Sequence, residues 1–484
     1  MALTIPELFE AAVADVPDKE WLVHEDATFT YAQAHARIGR ALAALAERGV
    51  GPGDRVLATA SNRPEYVLLW LAAMYLGAIY AAVDPRSTEA ELAGLAGQVE
   101  PRLVVDDKSV GDLFAADAPA PSGPGPAGPD DPAVLIPTSG TTGRSKLVAQ
   151  THRAYAMAGE GFPWWLELTA DDRLMTSLPL FHINSPAYST LGSVAARGSL
   201  VLLPAFSAGD FIAAARRYEA TEFNAIGAML EILMRQPPRA DDADNPVRLC
   251  YTGPSPERER QLEIEERFGF EIVCGYALSE TPYGLVWRHG TRPFGSLGSA
   301  RQHPDLGHVN DARVLGDAGP VAAGEVGELE LRNPAIMRGY YEMPNETAEV
   351  LVDGWLRTGD LVRDNGDETF TFVGRKKEVI RRRGENLSPA EVEAALERHP
   401  DVAEAAVVGV PSELSEQDVK AFVTAAPGRT VDVADVHAFA DRHLARFKVP
   451  RYFEMVDELP HTPTGRLAKH RLNVERTPEE VDLG

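Results

Sequence analysis

Cysteine is nearly absent from this chain. Cys250 and Cys274 are the only two among 484 residues. A disulfide framework is therefore not expected, and a reducing, cytoplasmic setting fits. Positive charge is scarce as well. Lys and Arg number 47 against 72 Asp and Glu, a formal net charge of −25. Nucleic-acid and anionic-membrane binders carry a basic footprint, so neither partner is expected. A local basic patch, Arg375-Lys376-Lys377 with Arg381-Arg382-Arg383, interrupts this trend. Tyr66 to Val83 carries no charged residue and is just long enough to span a bilayer. Gly77 divides it, and Ala78–Val83 ends at Asp84-Pro85, so it reads as a helix, a glycine and a short buried strand. At the N-terminus, Met1-Ala2-Leu3 runs into mixed sequence with Glu7 and Glu10, and no signal peptide is expected. There is no internal repeat, no coiled-coil heptad and no convincing Ser/His/Asp or Cys/His arrangement for a side-chain nucleophile.

Up to about residue 375, helical patterns alternate with short Val/Ile/Leu runs such as Arg55–Ala60 and Leu200–Leu203. That alternation predicts α/β layering. Ala115 to Asp131, rich in Pro, Gly and Ala, reads as an exposed loop. Glu325–Leu331 and Glu368–Val373 alternate like antiparallel strands, so a β-rich portion closes the large domain. The pattern changes at Lys376-Lys377-Glu378. Beyond it, Ser388-Pro389-Ala390-Glu391 reads as a capping box with Pro at the first helical position. Strands at Ala405–Val410 and Val419–Thr424 and a helix near Val433–Leu444 complete a small α+β domain.

The strongest chemical signal is the run Thr138-Ser139-Gly140-Thr141-Thr142-Gly143-Arg144-Ser145-Lys146, which follows the apolar strand pattern Ala133–Pro137. Glycines admit an anion close to the backbone, while amides, hydroxyls and the Lys146 ammonium supply donors and charge. This is chemistry for holding a triphosphate. It is not the Walker pattern, because no Gly-Lys-Ser/Thr follows at the required spacing.

The run resembles the phosphate-binding loop of the adenylate-forming superfamily, which includes acyl-CoA synthetases, luciferases and adenylation domains. Further pieces of that pattern follow in family order over nearly the whole chain. Leu178-Pro179-Leu180-Phe181-His182-Ile183-Asn184 resembles the segment that gates the carboxylate site, so His182 and Asn184 are implied to contact substrate, with Gly227 beside them. Gly253-Pro254-Ser255 resembles the loop on one side of the adenine. Gly275-Tyr276-Ala277-Leu278-Ser279-Glu280 resembles the family's Tyr-Gly-x-Thr-Glu element, with Ala277 and Ser279 as departures. The resemblance implies Tyr276 against adenine, Ala277 at the adenine–acyl junction, Ser279 on the α-phosphate, and Glu280 holding Mg²⁺ together with Thr138. Gly354–Asp360 and Gly374-Arg375 imply Asp360 on the ribose and Arg375 on the nucleotide. Lys377 occupies the family's hinge position. Leu459–Arg466 matches the Pro-Thr-Gly-Lys ending except that Arg466 replaces the lysine, which bridges carboxylate and α-phosphate. Arg is not equivalent to Lys, and Lys469 stands close enough in sequence to be its rival.

What this implies is an α/β protein. A large multi-layered N-terminal domain with mixed sheets and a β-rich portion would span residues 1–376 and bind ATP and acid. A small mobile C-terminal α+β domain would span 377–484. The implied activity is an ATP-dependent ligase, closest to crotonobetaine/carnitine-CoA ligase-like members. It would adenylate a small carboxylic acid, release pyrophosphate and pass the acyl group to CoA, as a monomer or homodimer. Two alternatives stand beside it. One keeps the ATP chemistry but takes nitrite and an aryl amine, or loads a carrier protein. The other is a non-catalytic nucleotide-binding relative.

Overall fold

The computed structural model describes residues 4–59, 61–138, 146–253, 255–288, 290–316, 319–382, 385–412, 417–461, 467–477 and 479–483. Ser139–Gly143, Pro254 and Arg466, all named above as site residues, lie outside them.

By its internal contacts the chain divides into two units. Unit 1 comprises residues 1–313, 330–357 and 367–370; unit 2 comprises 314–329, 358–366 and 371–484. Unit 1 carries two large sheets. A nine-stranded sheet runs in the order Ser299–Ala300, Thr281–Val286, Glu271–Leu278, Leu249–Thr252, Glu222–Asn224, Arg173–Thr176, Ser199–Leu202, Glu20–His24, Ala27–Thr30. Its interior strands pair in parallel and its two ends turn antiparallel. A six-stranded sheet runs Gly339–Tyr340, Lys146–Thr151, Pro132–Thr138, Ile79–Ala82, Arg55–Ala58, Leu103–Val105. Helices fill the connections, so both sheets are mixed and layered, as the alternating pattern requires. The β-rich portion is a further six-stranded sheet built from residues within 311–375.

The charge-free run resolves as expected. Pro64 opens a helix to Leu76, Gly77 caps it at φ +73°, and strand Ile79–Ala82 follows. A side chain at Gly77 would strain that left-handed turn. Apart from Glu65 and Leu76 every residue of the helix is buried. A helix apolar on all sides belongs in the middle of a core, and this one sits in the main hydrophobic cluster. Among the described residues no helix is long and apolar enough to cross a membrane.

Unit 2 is an α+β arrangement. Strands Val402–Pro411, Gln417–Ala425, Tyr452–Met455 and Val481–Asp482 form one sheet in that order. Helices Pro389–Glu397 and Val433–His443 contribute Val392, Leu396, Val436 and Ala440 to its core. One sequence expectation is corrected here. Ser388 does precede the helix with Pro389 at its first position, but no capping box forms. The Ser388 hydroxyl donates instead to the Val373 carbonyl at 2.5 Å. Glu391 accepts from Lys448 at 2.6 Å. Tertiary partners outbid the local cap, whose loss costs a helix only ~1 kcal/mol.

Candidate active site

The strand pair Pro132–Thr138 and Lys146–Thr151 is antiparallel, with Thr138 opposite Lys146. The Ser/Gly/Thr residues between these two strands lie outside the described residues. Along Lys146–Thr151 alternate residues share a face, so Lys146, Val148 and Gln150 point the same way. Strand Gly339–Tyr340 lies on the outer side, with Tyr340 directly opposite Val148. Directly opposed residues share a face, so Tyr340 joins that row.

Glu280 meets this row. The Tyr340 hydroxyl donates to Glu280 Oε1 at 2.9 Å, and the Lys146 ammonium lies 4.4 Å from the Tyr340 ring centroid. The Glu280 carbonyl accepts from the Met337 amide at 2.7 Å. Gln150, fully buried, donates from Nε2 to the Ser279 carbonyl at 2.7 Å. The structure thus brings together Lys146, Ser279 and Glu280, and it adds Tyr340 and Gln150, which the sequence reading missed. Gln150, two strand periods after Lys146, could have been flagged by the alternation of the strand. Nothing local could have flagged Tyr340.

The segment Gly275–Glu280 closes strand Glu271–Leu278, whose pairing with Thr281–Val286 is irregular between Tyr276 and Leu278. Ala277 sits at that irregularity, half-buried against the main core. A side chain at Gly275 would run into the buried Tyr251 ring and hydroxyl and force that tyrosine to shift. Beneath lies Arg301, 0% exposed. Its guanidinium donates to the Tyr188 hydroxyl and the Pro282 carbonyl, each at 2.6 Å, to the Leu285 carbonyl at 3.0 Å, and to the Tyr251 hydroxyl. The Trp165 ring lies 4.6 Å from it. A buried guanidinium is costly unless its donors are used, and here four hydrogen bonds use them, on two tyrosine hydroxyls and on two carbonyls of the strand Thr281–Val286 that follows the segment. Arg301 carried no sequence signal.

Other expected residues lie close by or apart. The Phe181 and His182 rings meet at a tilt of 57°, 4.5 Å between centroids, and line a small apolar cavity with Tyr66, Trp70, Tyr80 and Tyr155. Asn184 Oδ1 accepts from the buried Asn224 at 2.6 Å. Gly227 begins helix Gly227–Met234. Gly253 follows strand Leu249–Thr252, and Ser255 bonds Gln261 at 2.9 Å. Thr138 donates to the Lys146 carbonyl at 3.1 Å.

Within unit 2, Asp360 and Arg375 form an ion pair at 3.1 Å. The carboxylate is 1% exposed and the guanidinium 46%. Lys377 lies in a single 3₁₀ turn, Lys376–Glu378. Lys469 directs its ammonium to Glu393 at 2.8 Å and to Glu378 at 3.3 Å.

The chain is similar to known proteins over most of its length. The AMP-binding enzyme family's sequence model matches residues 9–341, and that of the AMP-binding enzyme C-terminal domain matches 391–466. The crotonobetaine/carnitine–CoA ligase of Salmonella typhimurium (strain LT2) is 30% identical over 92% of this chain and 93% of its own. ATP-bound MatB from Rhodopseudomonas palustris has a TM-score of 0.88 at 28% identity, covering 97% of this chain and 98% of that one. The o-succinylbenzoate CoA synthetase (MenE) of Bacillus subtilis, solved with its acyl-adenylate intermediate, gives 0.88 at 25% identity over 97% and 98%. The chain belongs to the AMP-binding enzyme family.

Proposed function

We propose that this AMP-binding enzyme is an acid–CoA ligase. It adenylates a small carboxylic acid with ATP, releases pyrophosphate, and then transfers the acyl group to the CoA thiol. The observation that carries the reading is the row Lys146, Gln150 and Tyr340 meeting Ser279 and Glu280, on the strand that directly follows the Ser/Gly/Thr run in sequence. A cation for phosphate and a carboxylate for a metal stand within one side chain of each other there. Two of the relatives reported above are a CoA ligase and a CoA synthetase, which favours CoA over an amine or a carrier protein as acceptor. Two free, buried cysteines accord with a reducing cytoplasm.

In the first half-reaction a carboxylate oxygen attacks the α-phosphorus and pyrophosphate departs. Lys146 and the amides of the run would hold the departing phosphates, and Ser279 would donate to the α-phosphate. Glu280 suits Mg²⁺. That ion takes one or two carboxylates plus substrate phosphates rather than a protein cage, and among the described residues no cluster of three or more acidic, His or Cys groups exists to compete. Glu280 uses only Oε1 toward a protein donor among the described residues. Mg²⁺ bound there, with Thr138 nearby, would neutralise charge on the phosphates. Asp360 would accept from the ribose hydroxyls and Arg375 would donate to the nucleotide. Arg466 takes the bridging role of the family's lysine, because Lys469 is already engaged by two carboxylates. His182 and Asn184, with Gly227 and Ala277, would line the acid site. The added methyl of Ala277 argues for a small acid. Residues 1–376 and 377–484 would act as separate bodies hinged at Lys377, the smaller changing pose between half-reactions.

The deciding experiment is pyrophosphate release across a panel of short carboxylates and nitrite, with and without CoA. Carboxylate-dependent release followed by CoA-dependent AMP formation is the expected result. Release with nitrite and an amine alone would overturn it.

A further inference from the structure

Tyr340 stands between two opposite charges. Its hydroxyl holds Glu280 Oε1 at 2.9 Å, and its ring face carries the Lys146 ammonium 4.4 Å from the centroid. The ring is fixed by its backbone. Arg338 N donates to Ala149 O at 2.9 Å, Tyr341 N to Leu147 O at 2.7 Å, and Tyr340 N to Thr347 Oγ1 at 2.9 Å. Lys146 and Glu280 form no ion pair with each other among the described residues. We propose that Tyr340 is a positioning residue that keeps Lys146 and Glu280 apart, reserving the ammonium for phosphate and the carboxylate for a divalent cation. This rests on the nucleotide reading above.

The physical reason is competition. Opposite charges in a half-buried site attract strongly, and a direct pair would neutralise both groups before substrate arrives. The ring gives each a weaker partner instead, a π face for the cation and a single hydroxyl hydrogen for the carboxylate. The π contact is readily exchanged for phosphate oxygens, while the hydroxyl hydrogen bond stays on Oε1, orients the carboxylate and leaves its other oxygen for a metal ion.

Tyr340→Phe keeps the ring and deletes the hydrogen bond, while Tyr340→Leu deletes both. ATP affinity is measured by calorimetry in Mg²⁺ and in EDTA, alongside the Mg²⁺ concentration that half-activates pyrophosphate release. Tyr340→Phe should leave ATP binding in EDTA within about twofold of the parent. It should raise the Mg²⁺ requirement about tenfold, the effect of losing one hydrogen bond to a charged group. Tyr340→Leu should in addition weaken ATP in EDTA by about tenfold, because Lys146 then pairs with Glu280. Equal weakening with and without Mg²⁺ in both variants would mean a structural role only and overturn the proposal, as would unchanged Mg²⁺ dependence. If the unmodified protein binds ATP no more tightly with Mg²⁺ and releases no pyrophosphate, the nucleotide reading itself fails, a result distinguishable from the others.

Discussion

Lys469 holds its ammonium 2.8 Å from the buried carboxylate of Glu393, which also accepts from the Val407 amide at 2.6 Å. Burial raises the Glu393 carboxyl, and Lys469 is the first group to oppose that rise. The pair fastens the C-terminal segment to helix Pro389–Glu397 and to the Lys376–Glu378 turn. A lysine so engaged is a structural cation.

Removing it should therefore cost stability before chemistry. Lys469→Ala should lower unfolding free energy by about 3 kcal/mol, the penalty for stranding one partner of a buried pair, and leave pyrophosphate release nearly intact. Arg466→Ala should slow that release by about 100-fold or more. Arg466→Lys should retain it. Urea unfolding and single-turnover pyrophosphate assays on the three variants check this. If the two alanine variants exchange phenotypes, Lys469 is the catalytic cation.

Glu280→Gln should slow adenylation about 100-fold while changing ATP affinity in EDTA little, because the carboxylate matters most as charge shifts at the α-phosphate. The measurement is pyrophosphate release against calorimetric binding. Unchanged release would remove Glu280 from the mechanism.

Lys377→Pro should spare adenylate formation and block thioester formation. Proline fixes φ and deletes an amide donor in the turn, so a backbone swing there becomes costly. The two half-reactions are assayed separately, and equal loss of both would place the hinge elsewhere.

His152 predicts acid sensitivity. Its ring is fully buried, and neither nitrogen has a hydrogen-bond partner among the described residues. Burial lowers its pKa to about 4, against the pull of Asp131 and Glu7. The native ring stays neutral where the unfolded chain already takes up a proton, so stability is full above the unfolded pKa near 6.5. It is lost as pH falls toward 4, by about 3 kcal/mol in all. His152→Leu should flatten that slope. Urea midpoints across this pH window test it, and a slope unchanged by the substitution would assign the acid loss to other groups.

The sequence by itself determined much of the local structure. Pro64, an uninterrupted apolar run and Gly77 specify the buried helix and its end, because cap, periodicity and left-handed φ are properties of consecutive residues. The strand before the Ser/Gly/Thr run, the strands at 402–411 and 417–425 and the helix at 433–443 were legible for the same reason. So was the family, since its motifs are short and ordered along the chain. Only the tertiary structure decided that Ser388 bonds Val373 rather than its own helix. The packing of residues 314–329 and 358–366 into unit 2 was likewise invisible in the sequence. Tyr340 reaches Glu280 from 60 positions away, and Arg301 reaches Tyr188 from 113 positions away. Such contacts are fixed by strand register and by the filling of buried space, which depend on which distant segments become neighbours. No periodicity or spacing within a window of sequence encodes that choice.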